Sequence, residues 1–210
     1  MTPTTPTTAR EMWETLRART PAALDRSRKM TALFQKTFPE GHGHSLRSHL
    51  ASNPRISQLH PTAAPLLLEH GRDYIPQLLG YSHYKRKLQP LPNVCYKNAR
   101  DVMEGGAPGA EPGNGAGVYV EGILHWPFDK PMLHAWNARS LDGTVAIDWT
   151  LYAISGWCRY FGMSFSSEEY KYVTADSTDG CDPSLLGRHS FPRRKRLIQE
   201  VLAARKNPAA

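Results

Sequence analysis

Residues 132–150, MLHAWNARSLDGTVAIDWT, are the stretch on which the reading of this chain turns. Met132–Ala138 and Thr144–Thr150 are short runs rich in β-type residues, and Asp142-Gly143 between them is turn chemistry. Side chains alternate along a strand, so His134, Trp136 and Ala138 share one face of the first run. Thr144, Ala146 and Asp148 share one face of the second. A two-residue turn at Asp142-Gly143 would pair Leu141 with Thr144 and send His134 and Asp148 to opposite sides. A three-residue turn, Leu141-Asp142-Gly143, pairs Ser140 with Thr144 and brings them to the same side. It also gathers Leu133, Ala135, Val145, Ile147 and Trp149 on the reverse face as a core surface, so the three-residue turn is preferred.

Working outward, Gly105–Gly117 is a Gly/Pro/Ala-rich loop, and Val118–Leu124 is another strand. Asn93–Met103 reads as a helix capped by Asn93 and stopped by Gly105 and Gly106. Downstream, the pattern predicts a strand at Tyr160–Phe165, a short helix at Ser167–Val173 and a basic helix at Pro192–Lys206. Residues 1–8 are a Thr/Pro tract expected to be disordered. Helices are expected at Ala9–Arg19, from Thr20-Pro21 to just before Pro39, and from about Thr62 to Gly71, so that the chain up to Pro90 reads as mostly helical. The organisation is therefore a tail (1–8), a helical N-terminal region (9–90), a core (91–175) and a C-terminal extension with a basic helix (176–210). Helices followed by a small antiparallel sheet make an α+β fold.

The 210 residues are 40% hydrophobic and 21% charged, enough to bury a core and too apolar for overall disorder. No window approaches the ~18 apolar residues of a membrane span, and MTPTTPTTAR lacks the pattern of a secretory signal. Cys95, Cys158 and Cys181 are too few and too scattered for a disulfide framework or a zinc-binding Cys cluster. The expectation is a cytoplasmic protein with no membrane partner. Net charge is +7, with basic residues concentrated near both ends. Arg193, Arg194, Lys195 and Arg196 would suit phosphate, yet no aromatic interleaving or base-reading motif accompanies them, so a solvated helix face is the plainer reading.

The chemistry lies in the order Cys95, His134, Asp148. Near a helix start, unpaired N–H groups and the positive end of the helix dipole favour a thiolate over a thiol. Such a sulfur attacks carbonyl carbon, and the same N–H groups can stabilise the resulting oxyanion. His134 would move the proton, and Asp148 would hold the imidazole in one tautomer and orientation. Asn137 is the alternative orienting group, but it falls on the strand face opposite His134. His42, His44 and His49 form the only tight histidine group. Metal sites want several convergent ligands, and the flanking Gly41 and Gly43 suggest a mobile loop instead, so no metal and no cofactor are assigned.

The segments Val94-Cys95-Tyr96-Lys97-Asn98-Ala99, Tyr119-Val120-Glu121-Gly122, His134-Ala135-Trp136-Asn137 and Ile147-Asp148-Trp149-Thr150 together resemble the transglutaminase-like branch of the papain-like cysteine protease fold. The resemblance covers roughly residues 93–165. It implies a nucleophile helix packed on a small antiparallel sheet and thiol-based acyl transfer at an amide of a peptide or protein. Peptidase, deamidase and transglutaminase-type activities all fit, and the resemblance does not choose among them. Gln89 stands six residues before Cys95, the spacing at which papain-like proteases keep an oxyanion-stabilising glutamine. Tyr96 and Trp136 are the candidate substrate-side residues. Two other readings stand beside this one. The first is an inactive papain-like module binding a protein or nucleic acid through its basic ends. The second is an arylamine-type acetyltransferase, which would need an acyl-thioester donor site that the sequence does not display.

Overall fold

The computed structural model describes residues 46–56, 58–77, 95–106, 117–125, 131–151, 155, 158–175 and 184–206. In chain order the elements are α1 (Leu46–Ser52), α2 (Ala63–His70), β1 (Arg72–Pro76), α3 (Cys95–Asp101), a π-helical turn (Val102–Gly106), β2 (Val118–His125), β3 (Met132–Ala138), β4 (Val145–Ala146), β5 (Arg159–Phe165), α4 (Ser167–Thr174) and α5 (Phe191–Lys206). The chain is α+β, with a five-stranded sheet in the order β3-β2-β5-β1-β4.

The strands pair antiparallel except β1 with β4, which run parallel. A bridge between Asn137 and Ile147 brings the β4 segment back to the end of β3, so the sheet curls until its two edges meet. Strand parity then sorts two apolar layers. Tyr119, Ile123, Leu133, Ala135, Phe161, Met163 and Phe165 pack outward against buried residues of all five helices. Tyr74, Val120, Leu124, Trp136, Ala138, Ala146, Cys158 and Tyr160 fill the other face. The outer layer is the larger, and each fully buried Phe or Leu in it contributes about 1.5–3 kcal/mol.

Two local devices set the helices. Ser166 and Glu169 form a reciprocal cap at the start of α4, the serine hydroxyl accepting from the Glu169 N–H (3.2 Å) while the carboxylate accepts from the Ser166 N–H (2.7 Å). Glu121, 0% exposed in the outer layer, accepts from the Tyr119 hydroxyl, the Ser184 hydroxyl and the Leu185 and Leu186 N–H groups at 2.6–2.8 Å. That carboxylate fastens the segment leading into α5 to the middle of the sheet. Its own pKa is raised, because burial outweighs the bonds it accepts.

Three expectations need correction. The chain before Pro90 is not all helical: Arg72–Pro76 is a strand between β5 and β4. Gly71 turns out of α2 into extended backbone there, and Tyr74 alternates inward against Trp136. The Thr144–Thr150 run is not a full hairpin partner of β3. Only Val145–Ala146 is strand, because β1 takes its backbone groups: Ile75 N–H donates to Thr144 and Gln77 N–H to Ala146, both at 2.8 Å. The reverse face of that run is also not core. Val145 is exposed beside Ile75, and Ile147 and Trp149 are half-buried. The helices expected before residue 40 lie outside the described residues, as does the Asn93 cap.

Candidate active site

The register of the 132–150 stretch brings His134 and Asp148 together. Asn137 opposite Ile147 is the same frame as Ser140 opposite Thr144, and the turn is closed by Gly143 N–H donating to Ser140 O at 3.1 Å. Asp148 follows Ala146 on the inner face and is 0% exposed. Oδ1 accepts the backbone N–H groups of Thr150 and Leu151, each at 2.9 Å. Oδ2 accepts from His134 Nε2 at 2.8 Å and from the Tyr160 hydroxyl at 2.9 Å. Burial alone would raise its pKa. The imidazole and these hydrogen bonds outweigh it and hold the carboxyl below the usual carboxylate value.

His134 is 4% exposed, at the middle of β3 opposite Gly122. Because Asp148 is ionised and can only accept, Nε2 carries a proton, which leaves Nδ1 for the other neighbour, Cys95. Burial pushes the imidazole pKa down, but the Asp148 charge, the Cys95 sulfur and the hydrogen bonds to both push it further up, to about 10. Trp136 lies beside the ring, nearly parallel at 19° with centroids 6.3 Å apart. Tyr74 and Tyr160 meet the indole edge-on at 5.5 and 5.0 Å. The indole runs over Gly162, where a Cβ would sit 2.6 Å from its ring carbon Cη2. The absence of a side chain at 162 is what admits the tryptophan.

Cys95 is the first described residue of α3, 9% exposed and not in a disulfide. The helix is tied to both segments that carry its partners. Asn98 Nδ2 donates to Thr150 Oγ1 (3.0 Å), two residues past Asp148, and Asn137 Nδ2 donates to Ala99 O (2.9 Å). The Tyr96 hydroxyl reaches Leu133 O at 3.4 Å. Asn137 thus faces α3 rather than the imidazole, and it fixes the helix, not the histidine. Cys158, the second described cysteine, is 3% exposed, and burial together with the Asp148 charge pushes its thiol pKa well up.

Trp136 is 1% exposed and makes the wall behind His134, whereas Tyr96 is half-buried along α3. Gln89, His42, His44 and Cys181 lie outside the described residues. His49 is half-buried in α1, and among the described residues no group of three or more His, Cys, Asp or Glu side chains converges as metal ligands would. Of the late basic residues, Arg194 is buried on Ser184 O, Arg196 pairs with Glu200, Arg205 with Glu169 and Lys206 with Glu69. No described helix is long and apolar enough to cross a membrane.

No protein-family model, curated protein or solved structure matches the chain. The constellation therefore stands on its geometry. Two residues of the constellation escaped the sequence reading. Asn98 carries no signal beyond its place one helical turn after Cys95. Tyr160 had one, since its strand parity sets it on the same face as Gly162 and Ser164, the face lined by Trp136.

Proposed function

We propose that this protein is a cysteine-dependent amide acyl-transfer enzyme with a papain-like, transglutaminase-like core, acting on a peptide or protein amide through Cys95, His134 and Asp148. The observation that carries the reading is a buried imidazole held between an ionised carboxylate and the Cys95 sulfur of α3. The Cys95 sulfur attacks the amide carbonyl, forming a C–S bond while the carbonyl oxygen takes the negative charge near the first N–H groups of α3. Collapse breaks the C–N bond, and the leaving amine takes the proton from His134 Nδ1. Water or an amine then gives a proton to Nδ1 as it attacks the thioester, and the sulfur leaves as thiolate. Asp148 stays ionised and keeps the ring aligned through both steps.

Brief iodoacetamide treatment near neutral pH, read residue by residue by mass spectrometry, tests this. Cys95 should react at least tenfold faster than Cys158, whose thiol is buried and held protonated, and faster than Cys181. His134→Ala should erase the advantage. Equal reactivity of all three cysteines would sink the proposal. Ammonia release from glutamine-containing peptides then separates deamidation and transfer from peptide cleavage.

A further inference from the structure

Beyond Asp148 the hydrogen bonds continue inward. Tyr160 stands at the start of β5, 1% exposed, its ring clamped edge-on by Trp136 at 5.0 Å. Its hydroxyl donates to Asp148 Oδ2 at 2.9 Å, the oxygen that also receives His134 Nε2–H. A phenol has one proton, and Asp148 takes it. Both protons at Oδ2 are thereby placed: Tyr160 O–H from one side and His134 Nε2–H from the other. The carboxylate cannot turn, because Oδ1 is pinned by Thr150 and Leu151 and Oδ2 from two directions.

We propose that Tyr160 is a positioning residue for the triad, locking Asp148 through its hydroxyl. The proposal rests on the acyl-transfer reading and deepens it: the carboxylate that orients His134 is itself held by a phenol from β5. The groups that meet at Asp148 are His134 from β3 with Cys95 of α3 beyond it, and Tyr160 and Cys158 from the start of β5.

The test is the pH profile of Cys95 alkylation in the full chain. Tyr160→Phe keeps the ring and its packing and removes one donor from Oδ2, which makes the carboxylate more basic. Asp148 is then protonated at higher pH, where its hold on the imidazolium is lost, so the acid limb of the profile should move up by about half a pH unit, about threefold in rate below the midpoint. 3-Fluorotyrosine placed at 160 keeps the ring and hydroxyl and makes it a stronger donor, so it should move the limb the opposite way, and it carries the test if Tyr160→Phe folds poorly. A purely structural role would lower the melting temperature and leave the limb where it was. Acid limbs superimposable on the wild-type limb in the folded variants overturn this inference alone. A wild-type profile with no selective Cys95 reactivity overturns the acyl-transfer reading and this inference with it.

Discussion

Replacing Asp148 with Asn isolates the contribution of one charge. The two side chains are nearly isosteric, and the fixed backbone donors Thr150 N–H and Leu151 N–H will hold the amide oxygen where Oδ1 was. The amide NH2 must then face His134 and Tyr160, where the carboxylate had accepted two bonds. A donor opposite Nε2 forces the imidazole into its other, neutral tautomer. In the wild type His134 stays protonated to about pH 10. Without Asp148, burial of a ring only 4% exposed remains as the dominant opposing influence, and the value should fall to the ordinary His value of about 6.5 or lower. At pH 8 the protonated fraction then drops from nearly all to about 3%, a factor of about 30. Histidine NMR titration reads this directly, and Cys95 alkylation at pH 8 should fall with it. If His134 titrates at the same pH in both proteins, Asp148 does not govern the imidazole and the triad argument is wrong.

Gly162→Ala puts a methyl 2.6 Å from the Trp136 ring, where neither the strand nor the clamped indole can yield cheaply. It should cost about 1–3 kcal/mol in urea unfolding and slow Cys95 alkylation by displacing the wall behind His134, and an unchanged midpoint would refute the packing account. Glu121→Gln replaces an acceptor-only group facing four donors with an amide that offers two of its own, and should destabilise by about 2–3 kcal/mol. The raised pKa of Glu121 means that its linked contribution to stability is present below about pH 4.5 and is lost as pH rises through the folded value. Unfolding midpoints measured from pH 4 upward should therefore slope downward in the wild type by an increment missing from Glu121→Gln. Identical slopes would place the charge elsewhere.

Much of the fold was legible because it is local. Met132–Ala138 is a strand over the residues its pattern predicted, α2 ends at the Gly71 stop, and α4 and α5 match their predicted spans to within a residue. The Ser140–Thr144 frame was legible too, since turn length and side-chain parity together decide register. Arg72–Pro76 was not, because five residues with a single buried side chain carry too little pattern to separate a strand from the end of a helical region. The strand exists because β5 and β4 supply its partners.

The Cys95, His134, Asp148 order and the shared face of the last two follow from residue types and a period of two, which are properties of the chain itself. Which groups stand behind them does not. Tyr160 on Asp148, Asn98 on Thr150 and Glu121 on the segment before α5 all join residues distant in sequence or on different elements. A side chain's periodicity states which way it points. What it meets there depends on how the sheet curls and which helix covers it, and packing of the whole chain decides that.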